Sequence, residues 1–227
     1  MSKYISIALD GPAGAGKSTM AKRVAKQLGY VYVDTGAIYR TIGYHIALYG
    51  IGPKDIDGVT RLIEDVNIEI AYDEKGTQRM ILNGNDVTDE LRTPQMSDYA
   101  SKISTMKVVR DYLLDVQRDL ARKHNVIMDG RDIGTVVLPK ASVKIYLTAS
   151  AEVRAKRRLD ELMEKGEKNL TFQKVLKDIE ERDFRDMNRP VAPLKQAKDA
   201  VLLDTSDKTI EESVAAILEI IETRLKK

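Results

Sequence analysis

The chain has 227 residues, 43% hydrophobic and 32% charged, with 37 Lys and Arg against 35 Asp and Glu. That length can bury a sizeable core, the composition excludes intrinsic disorder, and a net charge of +2 excludes a general coat for nucleic acid or membrane surfaces. With no cysteine, disulfides, thiolate zinc sites and cysteine nucleophiles are excluded as well. The apolar run that stops at Asp10 is too short for a signal peptide. No later stretch approaches the ~18 apolar residues of a membrane span, so a cytoplasmic protein is expected.

In chain order, residues 4–9 read as a short β-rich strand ending in a glycine-rich turn, and Met20, Val24 and Leu28 set the helical spacing of 18–28. A strand is predicted over 31–33 and a helix over 37–48. Residues 68–72 and 79–82 read as two strands around a turn at 73–76, and Asn83-Gly84 offers a second tight turn. Helices follow at 94–101 and 105–123, strands at 126–128 and 143–147, charged helices at 151–165 and 171–188, and a last strand at 201–203. Strands alternating with helices imply an α/β fold: one parallel sheet covered on both faces, interrupted by a small antiparallel insert over about 67–88. The two charged helices flank a polar loop containing Gly166, the pattern of a lid.

Gly11-Pro12-Ala13-Gly14-Ala15-Gly16-Lys17-Ser18-Thr19 has Walker A spacing between a predicted strand and a predicted helix. Its glycines let backbone N–H groups turn toward a triphosphate and the helix N-terminus favours negative charge. Lys17 can reach the terminal phosphates, and Ser18 can ligate Mg2+. Val126-Ile127-Met128-Asp129 has the Walker B form, an apolar strand ending in a carboxylate suited to the magnesium water shell. The pair predicts a P-loop protein that binds ATP.

Arg131 and Asp132 follow Asp129 in one strand-end loop, and Asp34 or Thr35 can cap a helix carrying Arg40. Arg154, Arg157 and Arg158 share one helical face, and Arg182, Arg185 and Arg189 another. Two arginine stripes bracketing a loop suit phosphoryl transfer, whose spread negative charge guanidinium groups neutralise. An acceptor phosphate is already anionic, whereas an alcohol acceptor wants a positioned base. The only histidines, His45 and His124, fall within helical segments and read as structural.

These segments resemble the bacterial cytidylate kinases, which are nucleoside monophosphate kinases. The resemblance runs through residues 11–19 and 34–40, Asp129-Gly130-Arg131-Asp132 with Ile133-Gly134-Thr135-Val136-Val137, Arg182-Asp183, Arg185-Asp186, Asn188-Arg189 and Val191-Ala192-Pro193-Leu194, in the family's order and over nearly the whole chain. It implies one P-loop kinase unit over 1–227, with a CMP-binding region over about 35–123 that includes the insert, and a lid over about 154–171. It further implies Ser101, Arg110 and Asp132 as readers of the cytosine edge, Arg40 and Arg131 on the CMP phosphate, Thr35 in the CMP site, and Asp186 and Arg189 near the sugar. Lys17, Arg131, Arg154, Arg158 and Arg182 would act on the transferred group, and Ser18 and Asp129 would hold magnesium. Phosphorylation of CMP and dCMP by a monomer follows as an expectation. Two rivals stay open at this point: a small-molecule alcohol kinase on the same fold, and a non-catalytic or switching nucleotide-binding module. The sequence has no Asn-Lys-x-Asp guanine reader, which weakens the switch.

Overall fold

The computed structural model describes residues 3–164, 166–167 and 170–226. Its main sheet has the order β2-β6-β1-β7-β8 and every pairing is parallel. The strands are β1 (Ser6–Asp10), β2 (Val31–Asp34), β6 (Val126–Gly130), β7 (Val143–Thr148) and β8 (Val201–Asp204). Side chains alternate across the strands, so two cores form. Ile7, Leu9, Ile127 and Ile145 face α1 (Lys17–Leu28) and α8 (Ile210–Leu225). Ala8, Val33, Val126 and Met128 face α2 (Thr35–Leu48), α3 (Ile56–Glu64), α4 (Pro94–Ile103) and α5 (Lys107–Lys123).

The insert is a three-stranded antiparallel sheet of β3 (Ile68–Tyr72), β4 (Gln78–Leu82) and β5 (Asn85–Asp86). Ile68, Met80 and Leu82 turn inward onto the α2 side of the core, which fastens the insert to the body. Asn83 (φ 48°) and Gly84 (φ 81°) both adopt the left-handed conformation that a two-residue hairpin between β4 and β5 requires.

The helices α6 (Ala151–Glu164) and α7 (Phe172–Asn188) pack on each other through Ala155, Val175 and Ile179, a small cluster separate from the two main cores. Residues 165, 168 and 169 of the expected lid loop lie outside the described residues. Among the described residues, two α-helices stand outside the sequence-based expectations. In α3, Asp55 caps the first turn by accepting from Gly58 N (2.9 Å), and only Val59 and Ile63 are buried hydrophobics, a short signal with a glycine in its first turn. In α8, a Thr209–Glu212 capping box precedes the buried run Val214, Ile217, Ile221.

Candidate active site

The carboxyl ends of β1, β2 and β6 meet at one edge of the sheet, where an open parallel sheet places its ligand crevice. Residues 11–19 leave β1 there. A Cβ at Gly11 would stand 1.9 Å from the Leu147 carbonyl oxygen of β7, so only glycine lets the loop pass. Lys17 is buried and donates to the Pro12 carbonyl (2.6 Å), which folds its ammonium into the loop. Burial, with Arg131 next in effect, holds that ammonium well below the usual lysine range.

Ser18 Oγ donates to Asp129 Oδ2 (2.7 Å), and the Tyr32 phenol donates to Asp129 Oδ1 (3.0 Å). Burial, then the neighbouring Asp34, pushes the Asp129 carboxyl up. A hydroxyl and a carboxylate side by side are hard oxygen donors, and among the described residues no cluster of three acidic or histidine groups forms a full protein cage. This set fits magnesium, which keeps waters and takes phosphate oxygens rather than an all-protein shell.

Beside Lys17 lie Arg131 and Arg182, and Arg40 faces Arg182 in turn. Arg131 Nε donates to Asp186 (2.8 Å) and Arg40 Nη2 to Asp34 (3.0 Å). Among the described residues only three buried side-chain polar atoms lack a partner, and two of them are Arg40 Nε and Arg182 Nε. Burial and the facing Arg131 pull the Arg182 guanidinium down to about 10, with Arg40 and Arg185 adding to the effect. Cations gathered with donors unspent form an anion site.

A second knot surrounds Asp132. Its Oδ2 accepts from Arg110 Nη2 and its Oδ1 from Arg189 Nη2 (3.0 Å), all three residues being buried. Arg189 also donates to Ser104 Oγ (3.1 Å) and the Ala192 carbonyl (2.7 Å), and Ser101 enters through its carbonyl, which accepts from Ser104 Oγ (2.8 Å). Arg110 lies over the Tyr39 ring at 6.0 Å. Thr35 donates to the Asp129 carbonyl (2.6 Å) and so supports the strand end.

The chain matches the family described as Cytidylate kinase over residues 7–223. The chain belongs to the cytidylate kinase family. A cytidylate kinase of Caldicellulosiruptor saccharolyticus is 48% identical over 96% of each chain, and one of Clostridium botulinum is 50% identical over 96% of this chain and 98% of its own. Among solved structures, an uncharacterized protein from Eubacterium ventriosum shares the fold at a TM-score of 0.55 and 13% identity, with 97% of this chain and 99% of that chain covered. Membership makes the chain a nucleoside monophosphate kinase, an ATP-dependent phosphotransferase.

The arginines expected from sequence are distributed unevenly in the kinase. Arg154 donates to the Ala13 carbonyl (3.0 Å) and pairs with Asp183 (2.6 Å), so α6 rests on the P-loop. Arg157 instead donates to the Thr205 carbonyl (2.7 Å), and Arg158 pairs with Glu161 (2.8 Å) on an exposed flank, apart from the converging group. Besides Tyr32 and Tyr39, three further residues support the site without having been singled out in the sequence. Asp10 accepts from Ile133 N and Gly134 N (2.7 Å each) and ties the loop carrying Arg131 and Asp132 to β1. Asp183 accepts from the P-loop N–H of Ala13 (3.4 Å), and Ser104 joins Arg110 to Arg189. Asp183 and Asp186 are spaced i, i+3 like the arginines beside them, a signal visible in the sequence.

Proposed function

We propose that the kinase binds magnesium-ATP in the Gly11–Thr19 cradle and CMP or dCMP between Arg40 and Asp132, and transfers the γ-phosphoryl group in line to the acceptor phosphate. The observation that carries this reading is the convergence of Lys17, Arg40, Arg131 and Arg182 on one crevice with two buried guanidinium Nε atoms unpaired. Two phosphate-bearing ligands would supply the missing acceptors.

In this reading Arg40 and Arg131 hold the acceptor phosphate, while Lys17 and Arg182 neutralise charge on the group in transfer. The acceptor phosphate attacks as an anion, so no side chain has to remove a proton. Arg154 bears on the transferred group from the root of α6, and Arg158 joins it when the lid over about 154–171 closes. Ser18 and Asp129 would hold magnesium, which supplies charge neutralisation at the phosphates. Asp132 accepts from the cytosine amino group through a lone pair not used by Arg110 or Arg189, with Ser101 and Arg110 beside it. Asp186 and Arg189 face the sugar, and Thr35 shapes the floor of the CMP site. The reading is completed by a monomer acting in the cytoplasm.

ADP release should be measured across CMP, dCMP, UMP, AMP and shikimate at fixed magnesium-ATP. Strong stimulation by CMP and dCMP is expected. Stimulation by shikimate without any by CMP would overturn the reading.

A further inference from the structure

The strand β2 is an edge of the main sheet, with β6 on one side only. Val31 N donates to Asn125 O (2.9 Å), so Val31 and Val33 turn their main-chain groups toward β6, and by alternation Tyr32 and Asp34 turn theirs away. An edge of this kind needs cover. The insert provides it with side chains rather than with a paired strand. Gln78 Oε1 accepts from Asp34 N (2.8 Å), Gln78 Nε2 donates to Asp34 O (3.3 Å), and the Tyr72 phenol donates to Tyr32 O (3.0 Å). The Gln78 amide thus imitates one peptide of a neighbouring strand, and it is buried.

The residues gripped in this way both send side chains into the site. Asp34 Oδ1 caps α2 by accepting from Ala37 N (2.9 Å), and its Oδ2 holds Arg40, whose Nε is buried and unpaired. Tyr32 holds Asp129. A shift of the Asp34 peptide therefore moves the carboxylate that aims Arg40.

We propose that Gln78 is a positioning residue for the acceptor nucleotide: the insert, through the Gln78 amide and with Tyr72 as a second anchor, fixes Asp34 and thereby the guanidinium of Arg40. This rests on the reading that Arg40 binds the CMP phosphate. The insert then sets CMP affinity without touching CMP, and leaves the P-loop largely unaffected.

The test is calorimetric binding of CMP, and separately of a non-hydrolysable ATP analogue, to the full chain and to Gln78→Met, Tyr72→Phe, Arg40→Ala and the Gln78→Met/Arg40→Ala double variant. Methionine keeps the buried volume and removes both amide bonds to Asp34, along with a contact to Met80 Sδ, and Tyr72→Phe removes a single hydroxyl should Gln78→Met fail to fold. Misplacing a positioning group costs on the order of tenfold or more. Gln78→Met should weaken CMP about tenfold and Tyr72→Phe about threefold, with the ATP analogue changed by less than about twofold. In the Arg40→Ala background the Gln78 substitution should add almost nothing, because its effect is routed through Arg40. Equal weakening of both nucleotides, or an additive double variant, would show a structural role only and overturn the proposal. Unchanged CMP binding in both Gln78→Met and Tyr72→Phe, with a loss in Arg40→Ala, would overturn it too while leaving the acceptor reading intact. No loss in Arg40→Ala would instead remove the acceptor reading and this proposal together.

Discussion

Asp132→Asn is the substitution that separates base recognition from general support of the site. Asp132 is 5% exposed and has a guanidinium on each oxygen, Arg110 on Oδ2 and Arg189 on Oδ1. Truncation to alanine would leave two buried arginines facing each other and cost roughly 3–5 kcal/mol of stability, blurring any effect on specificity. Asparagine keeps the shape, but its single carbonyl can serve only one guanidinium, and its NH2 must face the other. The bond given up by one guanidinium is lost for every acceptor alike, whereas CMP also loses the hydrogen bond from its amino group to a charged acceptor, about 1.5–3 kcal/mol. At 1.36 kcal/mol per decade this predicts a fall in kcat/KM for CMP of about 10- to 150-fold. Uracil carries a carbonyl where cytosine carries the amino group and has no such bond to lose, so UMP should lose much less. The preference for CMP over UMP should narrow by at least about tenfold, read by coupled ADP release for both acceptors with circular dichroism confirming the fold. Equal falls on CMP and UMP would refute the reasoning and make Asp132 a brace for Arg110 and Arg189.

Lys17→Ala should leave the fold intact and reduce turnover by well over tenfold, since an ammonium at the β and γ phosphates supplies several kcal/mol of charge stabilisation; retention of more than about a tenth of the activity would contradict this. Burial pushes the Asp10 carboxyl from 3.8 up to about 6 even though two N–H groups donate to it. The folded value lies above the unfolded one, so the stabilisation from protonating Asp10 is complete below 3.8 and is lost as pH rises through about 6. Urea unfolding should therefore show wild-type stability, relative to Asp10→Asn, falling by up to about 3 kcal/mol across that window; a pH-independent difference would count against it. Hydrogen exchange over the described residues of the proposed lid, about 154–171, should slow when an ATP analogue and CMP are both present and change little with either alone, if the lid closes. Unchanged exchange with both bound would dismiss the lid.

The parallel sheet was legible because each strand is a short apolar run set between helical stretches, as in Val126-Ile127-Met128, and because residues 11–19 match a motif whose setting can be checked. The insert was legible from Asn83-Gly84 and its flanking strands. Helix α3 was not, since Val59 and Ile63 alone do not outweigh Gly58 in the first turn. Helix α8 carries its signal openly in Thr209, Glu212 and the i, i+3, i+7 run Val214, Ile217, Ile221 that follows. Within the site, Lys17, Ser18 and Asp129 followed from motif mechanics. Asp132 between Arg110 and Arg189 could not, because that contact joins residues 22 and 57 positions apart and no local period encodes it. Gln78 was invisible for a related reason: it lies on a strand whose alternation speaks only of packing, and its partner is a main-chain peptide, which any residue could offer.

The crowding of Arg40, Arg131 and Arg182 has a practical consequence for handling the enzyme. Like charges held together in a buried crevice repel, and any small dianion that settles among them relieves that repulsion in the folded state alone. Melting temperature should therefore respond to buffer identity at constant ionic strength, being higher in phosphate or sulfate than in chloride, by the mass-action relation that governs any ligand. A thermal-shift screen run in phosphate would start from a protein already partly satisfied, and would understate the stabilisation that nucleotides bring.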